Sequence, residues 1–225
     1  TGTLTDSTAL SATTAAPAAE MNLWEMFQYG GPIMYVLVIM FALAMYVFIE
    51  RMVTLKQASK EDNTFMNRIK DYIYDGKIDA AKKLCQETNT PTSRMVEKGI
   101  SRLGRPMSDV LMAIENVGNL EIAKLEKRLV IMASVSGGAP MLGFLGTVTG
   151  MVSVFFDMAQ KSGGSIQLGD LSVGMYQAMV TTVGGLVVGI LAYFFYNYLV
   201  SRIDSVVRTL ESRTMEFLDL LNEPA

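Results

Sequence analysis

Histidine is absent from this 225-residue chain, and cysteine occurs once, at Cys85. Without an imidazole there is no Ser-His or Cys-His nucleophile pair, no HExxH zinc helix and no imidazole proton relay. A lone cysteine most often packs as a small core hydrophobe, and Cys85 is read that way. Charge is missing too, but only locally. Residues 26–49, 129–156 and 171–201 contain no Asp, Glu, Lys or Arg, and at 24, 28 and 31 residues they are long enough to span a bilayer. A helix needs roughly 20 apolar residues to cross hydrocarbon. The sequence therefore predicts an all-α protein with three membrane-spanning helices.

The charges that remain are segregated. Residues 50–128 hold 15 of the 19 basic residues, the segment up to Gly31 holds none, and residues 157–170 hold only Lys161. Lys/Arg excess close to span ends marks the cytoplasmic side. Arg51, Lys56 and Lys60 follow the first span, Lys124, Lys127 and Arg128 precede the second, and Arg202, Arg208 and Arg213 follow the third. All three clusters predict an outer N-terminus with the large loop and C-terminus inside. The net charge of −3 decides little by itself, because its sign is segregated by side, and with no arginine-rich face no nucleic-acid partner is expected.

The organisation follows from these runs. Residues 1–20, rich in Thr, Ala and Ser, read as a flexible extracytoplasmic tail, because they cannot bury enough apolar surface to offset ordering entropy. The chain starts without an initiator Met, which fits a removed signal peptide and a trimmed terminus equally. Residues 21–29, with Trp24 and Tyr29, predict a short interfacial helix, ended by Gly30-Gly31-Pro32. Then come span one (30–50), a cytoplasmic helical loop (51–128), span two (129–156), a short periplasmic loop (157–170), span three (171–201) and a cytoplasmic C-terminal helix (202–225). Within the large loop, residues 63–74 and 77–87 show helical spacing, and Pro91 and Gly104-Arg105-Pro106 punctuate the stretch after them. The run 110–128 leads toward span two, and Ile203, Val206, Leu210, Phe217 and Leu221 form an apolar stripe beyond span three. Spans two and three are thus expected to carry long cytoplasmic helical extensions.

Inside the membrane the informative residues are small or hydroxylic. At about 100° per residue, Ser136, Ala139, Gly143, Gly146/Thr147 and Gly150 share one face of span two. Gly174, Gln177/Ala178, Thr181/Thr182, Gly185, Gly189 and Ala192 do the same on span three. Close helix packing accounts for most of the glycines, since Gly146/Gly150 and Gly185/Gly189 are GxxxG pairs. Thr147 and Thr182 add something by depth: at 1.5 Å rise per residue both fall roughly 6 to 8 Å outside the midplane and can form one polar level. A single membrane Thr commonly bonds back to its own helix. Two at matching depth point to a hydrated path. Ion paths through hydrocarbon normally carry an acid or a base. These spans carry none, so a proton-transferring group would have to come from another chain.

The stretch 138–151, Gly-Ala-Pro-Met-Leu-Gly-Phe-Leu-Gly-Thr-Val-Thr-Gly-Met, closely resembles the signature of the MotA/TolQ/ExbB proton-channel family. Residues 177–186, Gln-Ala-Met-Val-Thr-Thr-Val-Gly-Gly-Leu, resemble its companion in the third helix. Three spans are more like ExbB and TolQ than four-span MotA. The resemblance implies a homo-oligomer, a pentamer in the family, whose second and third helices enclose an apolar pore in the Gram-negative inner membrane. It also implies an ExbD- or TolR-type single-span partner that brings an Asp to the threonine level, and a TonB-type protein that receives the work. Thr147 and Thr182 match the family's pore threonines, with Thr181 and Gln177 beside them, and Pro140 matches its span-two proline. Gln177 departs from the Glu that ExbB relatives carry there; it can hydrogen-bond but cannot titrate. No cofactor or metal is implied. The open alternatives are a TolQ-type subunit for envelope constriction, a sodium-driven stator, and a non-conducting scaffold. An intramembrane enzyme has no His or membrane carboxylate to work with.

Overall fold

A computed structural model of the chain describes residues 30–59, 64–160 and 168–222, with the side chains of residues 168–171 excepted. The expected tail (1–20) and interfacial helix (21–29) lie outside the described residues. Among the described residues seven helices run in order: α1 (Gly31–Ala58), α2 (Phe65–Tyr74), α3 (Ile78–Thr88), α4 (Pro91–Ile100), α5 (Met107–Glu126), α6 (Leu129–Gln160) and α7 (Leu168–Asn222). No strand occurs among the described residues. Among the described residues three helical segments are long and apolar enough to cross a membrane. The all-α, three-span architecture with long helical extensions is as the sequence predicts.

Helix α1 starts where its residues allow. Gly31 adopts φ +64, a left-handed conformation open to glycine, and Pro32 occupies the first turn, where its missing N–H costs no hydrogen bond. Span one then continues to Ala58 without a break. The first helix therefore also extends past its apolar stretch, into the start of the segment that the sequence reads as a helical loop (51–128).

The basic region between spans one and two is a small helical domain. Helices α2 and α3 fall within two residues of the expected segments. Helix α4 has no counterpart in the sequence reading, which takes Pro91 as punctuation only. Thr90 caps it by accepting a hydrogen bond from the Ser93 N–H (3.2 Å), while Ser93 Oγ accepts from the Thr90 N–H (2.9 Å), and Pro91 sits in the first turn. The preceding helix ends on Asn89 at φ 46, a left-handed position that Asn tolerates. Ile69, Cys85, Ile100, Ile114, Leu210 and Phe217 are buried together, so the far end of α7 packs against this domain. Gly99 makes room for the Phe217 ring: a Cβ there would lie 2.5 Å from it.

The extension of span two differs in one respect from a continuous stalk. Helix α5 ends at Glu126, and Arg128 takes φ 81 before α6 begins at Leu129. A helix end leaves carbonyls without donors. Here Arg51, only 6% exposed, supplies them, its Nη1 donating to the carbonyls of Lys124 (3.1 Å) and Leu125 (3.4 Å). Glu50 ties the joint together, accepting from Arg51 Nη2 (3.3 Å) and from Arg128 Nη1. A periodicity argument sees the apolar spacing on either side of this corner but not the corner itself. At the other end of these two spans α6 runs on to Gln160 and α7 begins at Leu168, so helix reaches into both ends of the 157–170 segment.

Candidate ion-pathway site between the second and third spans

The most extensive helix pairing among the described residues is between α6 and α7, and small residues make it possible. A Cβ on Gly185 would stand 2.6 Å from the Ala139 carbonyl oxygen and 2.8 Å from the Gly143 Cα. Both obstacles are backbone, so the helices would have to separate. Gly143, Gly146, Gly150 and Gly189 line the same interface, the last against the Pro140 ring. Pro140 lacks an N–H, which leaves the Ser136 carbonyl without its usual partner one turn on. Gly189 lets α7 approach that carbonyl closely, a Cβ there falling 3.2 Å from the oxygen.

This close approach brings Thr147 and Thr182 into direct hydroxyl–hydroxyl contact. Both side chains are half-buried. The Gly143 carbonyl lies beside them, in reach of Thr182 Oγ1 (3.1 Å) and Thr147 Oγ1 (3.3 Å). Two hydroxyls have two hydrogens for these three contacts. One hydrogen must lie between the hydroxyls and the other on the carbonyl. The pair therefore has no spare donor and turns lone pairs outward. Such an arrangement can accept a hydrogen bond from a neutral carboxylic acid; a carboxylate would be served only when one hydroxyl rotates off the Gly143 carbonyl.

The other residues singled out from the sequence sit elsewhere. Thr181 is 2% exposed, donates to the Ala178 carbonyl (2.8 Å) and packs on Gly146, inside the helix interface rather than at the hydroxyl pair. Gln177 faces span one: a Cβ on Gly31 would be 2.5 Å from its Nε2. Two further hydroxyls of α6 that the sequence reading did not single out, Thr149 and Ser153, bond back to their own helix, through the Leu145 (2.9 Å) and Gly150 (3.0 Å) carbonyls. The Gly143 carbonyl is the member of the site that residue types could not reveal, because a backbone acceptor carries no signature of its own.

Away from the membrane, Glu121 is 4% exposed and bonded by Arg94 and by Lys124 Nζ (2.6 Å). Burial pushes its carboxyl up, but the two cations outweigh that and hold it below the usual carboxylate range. Burial also pushes the Cys85 thiol up, to about 12. No cluster of His, Cys, Asp and Glu suited to a metal occurs among the described residues.

The family model for the MotA/TolQ/ExbB proton channel family matches residues 87–212, which include α6, most of α7 and the hydroxyl pair. The chain belongs to that family. It is 28% identical over 192 residues to an ExbB homolog of Methanothermobacter thermautotrophicus, covering 83% of this chain and 66% of that protein. It is 26% identical over 225 residues to the Tol-Pal system protein TolQ of Haemophilus influenzae, covering 92% of this chain and 96% of the relative. The biopolymer transport protein ExbB of Aquifex aeolicus is 38% identical over 80 residues, 36% of this chain and 53% of that protein. The chain is thus a multi-pass membrane protein of a proton-channel family, which is not a family of enzymes.

Proposed function

We propose that this protein is the stator subunit of a proton-motive-force-driven motor, ExbB-like, that energises TonB-dependent transport across an outer membrane. It works as a homopentamer in the inner membrane of a Gram-negative cell, with its N-terminus in the periplasm and its basic domain in the cytoplasm. A single-span partner of ExbD or TolR type places an intramembrane Asp against Thr147 and Thr182. The observation that carries this reading is the hydroxyl pair across α6 and α7, in spans that hold no acid of their own. A neutral carboxylic acid tolerates an apolar pore and can donate to the lone pairs of the hydroxyls, whereas its carboxylate needs a donor, which hydroxyl rotation supplies. Each protonation change is then coupled to a local rearrangement between two helices. Gln177, which cannot titrate, leaves the partner's Asp as the only acid in this scheme.

The test is Thr182→Val, which keeps the shape and removes the hydroxyl. The variant is expected to assemble as the wild type does and to lose TonB-dependent uptake. Wild-type uptake would overturn the role of the pair. The match to TolQ over nearly both full lengths favours a second reading, in which the same motor serves envelope constriction. Deletion strains separate the two: loss of siderophore uptake points to the first role, and chaining of unseparated cells to the second.

A further inference from the structure

Just beyond the apolar part of the first and third spans, on the basic side of the membrane, α1 and α7 leave a groove of about 160 Å³ between them. Lys56 and Arg202 line it together with the hydroxyl-bearing Ser59, Ser205 and Tyr198, and the rest of the lining is aliphatic or thioether. No carboxylate is among its described lining residues. Arg202 is held in place: its Nε donates to the Tyr198 hydroxyl (3.1 Å) and its guanidinium lies 5.4 Å from the centre of that ring. Its two terminal nitrogens make no hydrogen bond among the described residues, and neither does Lys56. Two cations face one small polar recess, and none of the described lining neutralises them.

The membrane-facing neighbour of this recess is apolar and aromatic. Phe48 stacks on Phe195 with ring centroids 4.3 Å apart, and Tyr198 leans on Phe48 at 6.2 Å. Phe194, next to Phe195 and one residue deeper, is exposed. Charge and hydroxyls at the water interface, with an aromatic and aliphatic wall running toward the bilayer centre, match the order of parts in a phospholipid. A soluble anion would use the cations but not the wall. Basic recesses between transmembrane helices at this level are suited to anionic headgroups.

We infer that the groove between α1 and α7 holds the phosphate headgroup of an anionic phospholipid from the leaflet on the basic side, through Lys56 and Arg202, with the acyl chains along the Phe48–Phe195 wall. The site is separate from the Thr147–Thr182 pair and does not depend on ion conduction. It would fix the span-one to span-three packing at the level of the Arg51 joint.

The full-length protein, extracted as its native assembly and stripped of lipid, is titrated with dioleoyl phosphatidylglycerol, and in parallel with dioleoyl phosphatidylcholine and with inorganic phosphate. Bound lipid is counted by native mass spectrometry. Phosphatidylglycerol should bind more tightly than phosphatidylcholine and resist displacement by phosphate. Lys56→Gln/Arg202→Gln should weaken phosphatidylglycerol about thirtyfold, each charge contributing about fivefold at a membrane surface. Lys56→Gln alone, at an exposed position, should show the smaller loss if the double variant assembles poorly, and Lys56→Arg should restore binding. The charge-matched control Lys83→Gln/Lys98→Gln, on the exposed surface of the basic domain, should bind as the wild type does. Equal binding of the two lipids, displacement by phosphate, unchanged affinity in the groove variants, or an equal loss in the control would each overturn the assignment.

Discussion

At the residue scale the account turns on two hydroxyls and one carbonyl. The contact between Thr147 and Thr182 was legible from the sequence, because helical rise converts position into depth and the two depths agree. Their partner, the Gly143 carbonyl, was not, and neither was the separation of Thr181 and Gln177 from the pair, because which neighbour each meets, Gly146 and span one, depends on helix packing that spacing does not contain. If the pair meets an ionised partner, Thr182→Val removes a hydrogen bond to a charged group, worth roughly 1.5–3 kcal/mol, or about one to two orders of magnitude in the rate of energy transfer. Thr182→Ser, which keeps the hydroxyl, should retain most of the activity in the same uptake assay. Cys85 offers a second check. A thiol pushed up to about 12 is almost wholly protonated at neutral pH, so iodoacetamide should label the folded protein far more slowly than the denatured one. Equal labelling rates would show that the thiol is not buried as described.

At the element scale, what matters is how closely α6 and α7 approach. Gly185→Leu would press a branched side chain against the backbone of Ala139 and Gly143. Overpacking of this kind typically costs about 1–3 kcal/mol. Here it would also pull Thr182 away from Thr147, so thermal stability and transport should fall together. Gly137→Ala is the matching control, because a Cβ at that position meets nothing within 4 Å; it should melt within a degree or two of the wild type. The long apolar spans were readable from composition alone, since bilayer thickness fixes their length. Two elements were not. Helix α4 begins with a proline that punctuation rules read as a stop, although proline is favoured in a helix's first turn. The corner at Arg128 depends on Arg51, 77 positions earlier in the chain, and no local pattern contains that contact.

At the scale of the whole molecule, the chain divides into an uncharged membrane part and a basic helical domain packed around an apolar core, with the Glu121 carboxylate buried beside it. Glu121 is the most enclosed carboxylate among the described residues of that domain, and its carboxyl lies below its ordinary value. A depressed carboxylate contributes stability that is complete above its unfolded pKa of about 4.3 and is lost as pH falls through the lower folded value. Melting temperatures should therefore be level from neutral pH down to about pH 5 and drop below about pH 4, with a shallower drop in Glu121→Gln. The partly exposed Arg94 and Lys124 are screened by solvent, so the effect of that substitution at neutral pH should stay near 1 kcal/mol. An identical acid profile in the variant would remove Glu121 from the explanation.

The central claim is that spans two and three form an uncharged sleeve whose hydroxyls serve an acid carried by another chain. It is tested most directly by purifying the protein from its own cells after replacing Thr182 with Cys, and placing a second Cys at the intramembrane Asp of any single-span protein that accompanies it. The account predicts that such a protein is recovered and that the two cysteines form a disulfide under mild oxidation. An assembly recovered without a single-span partner, its axis closed by this chain's own side chains, would contradict it.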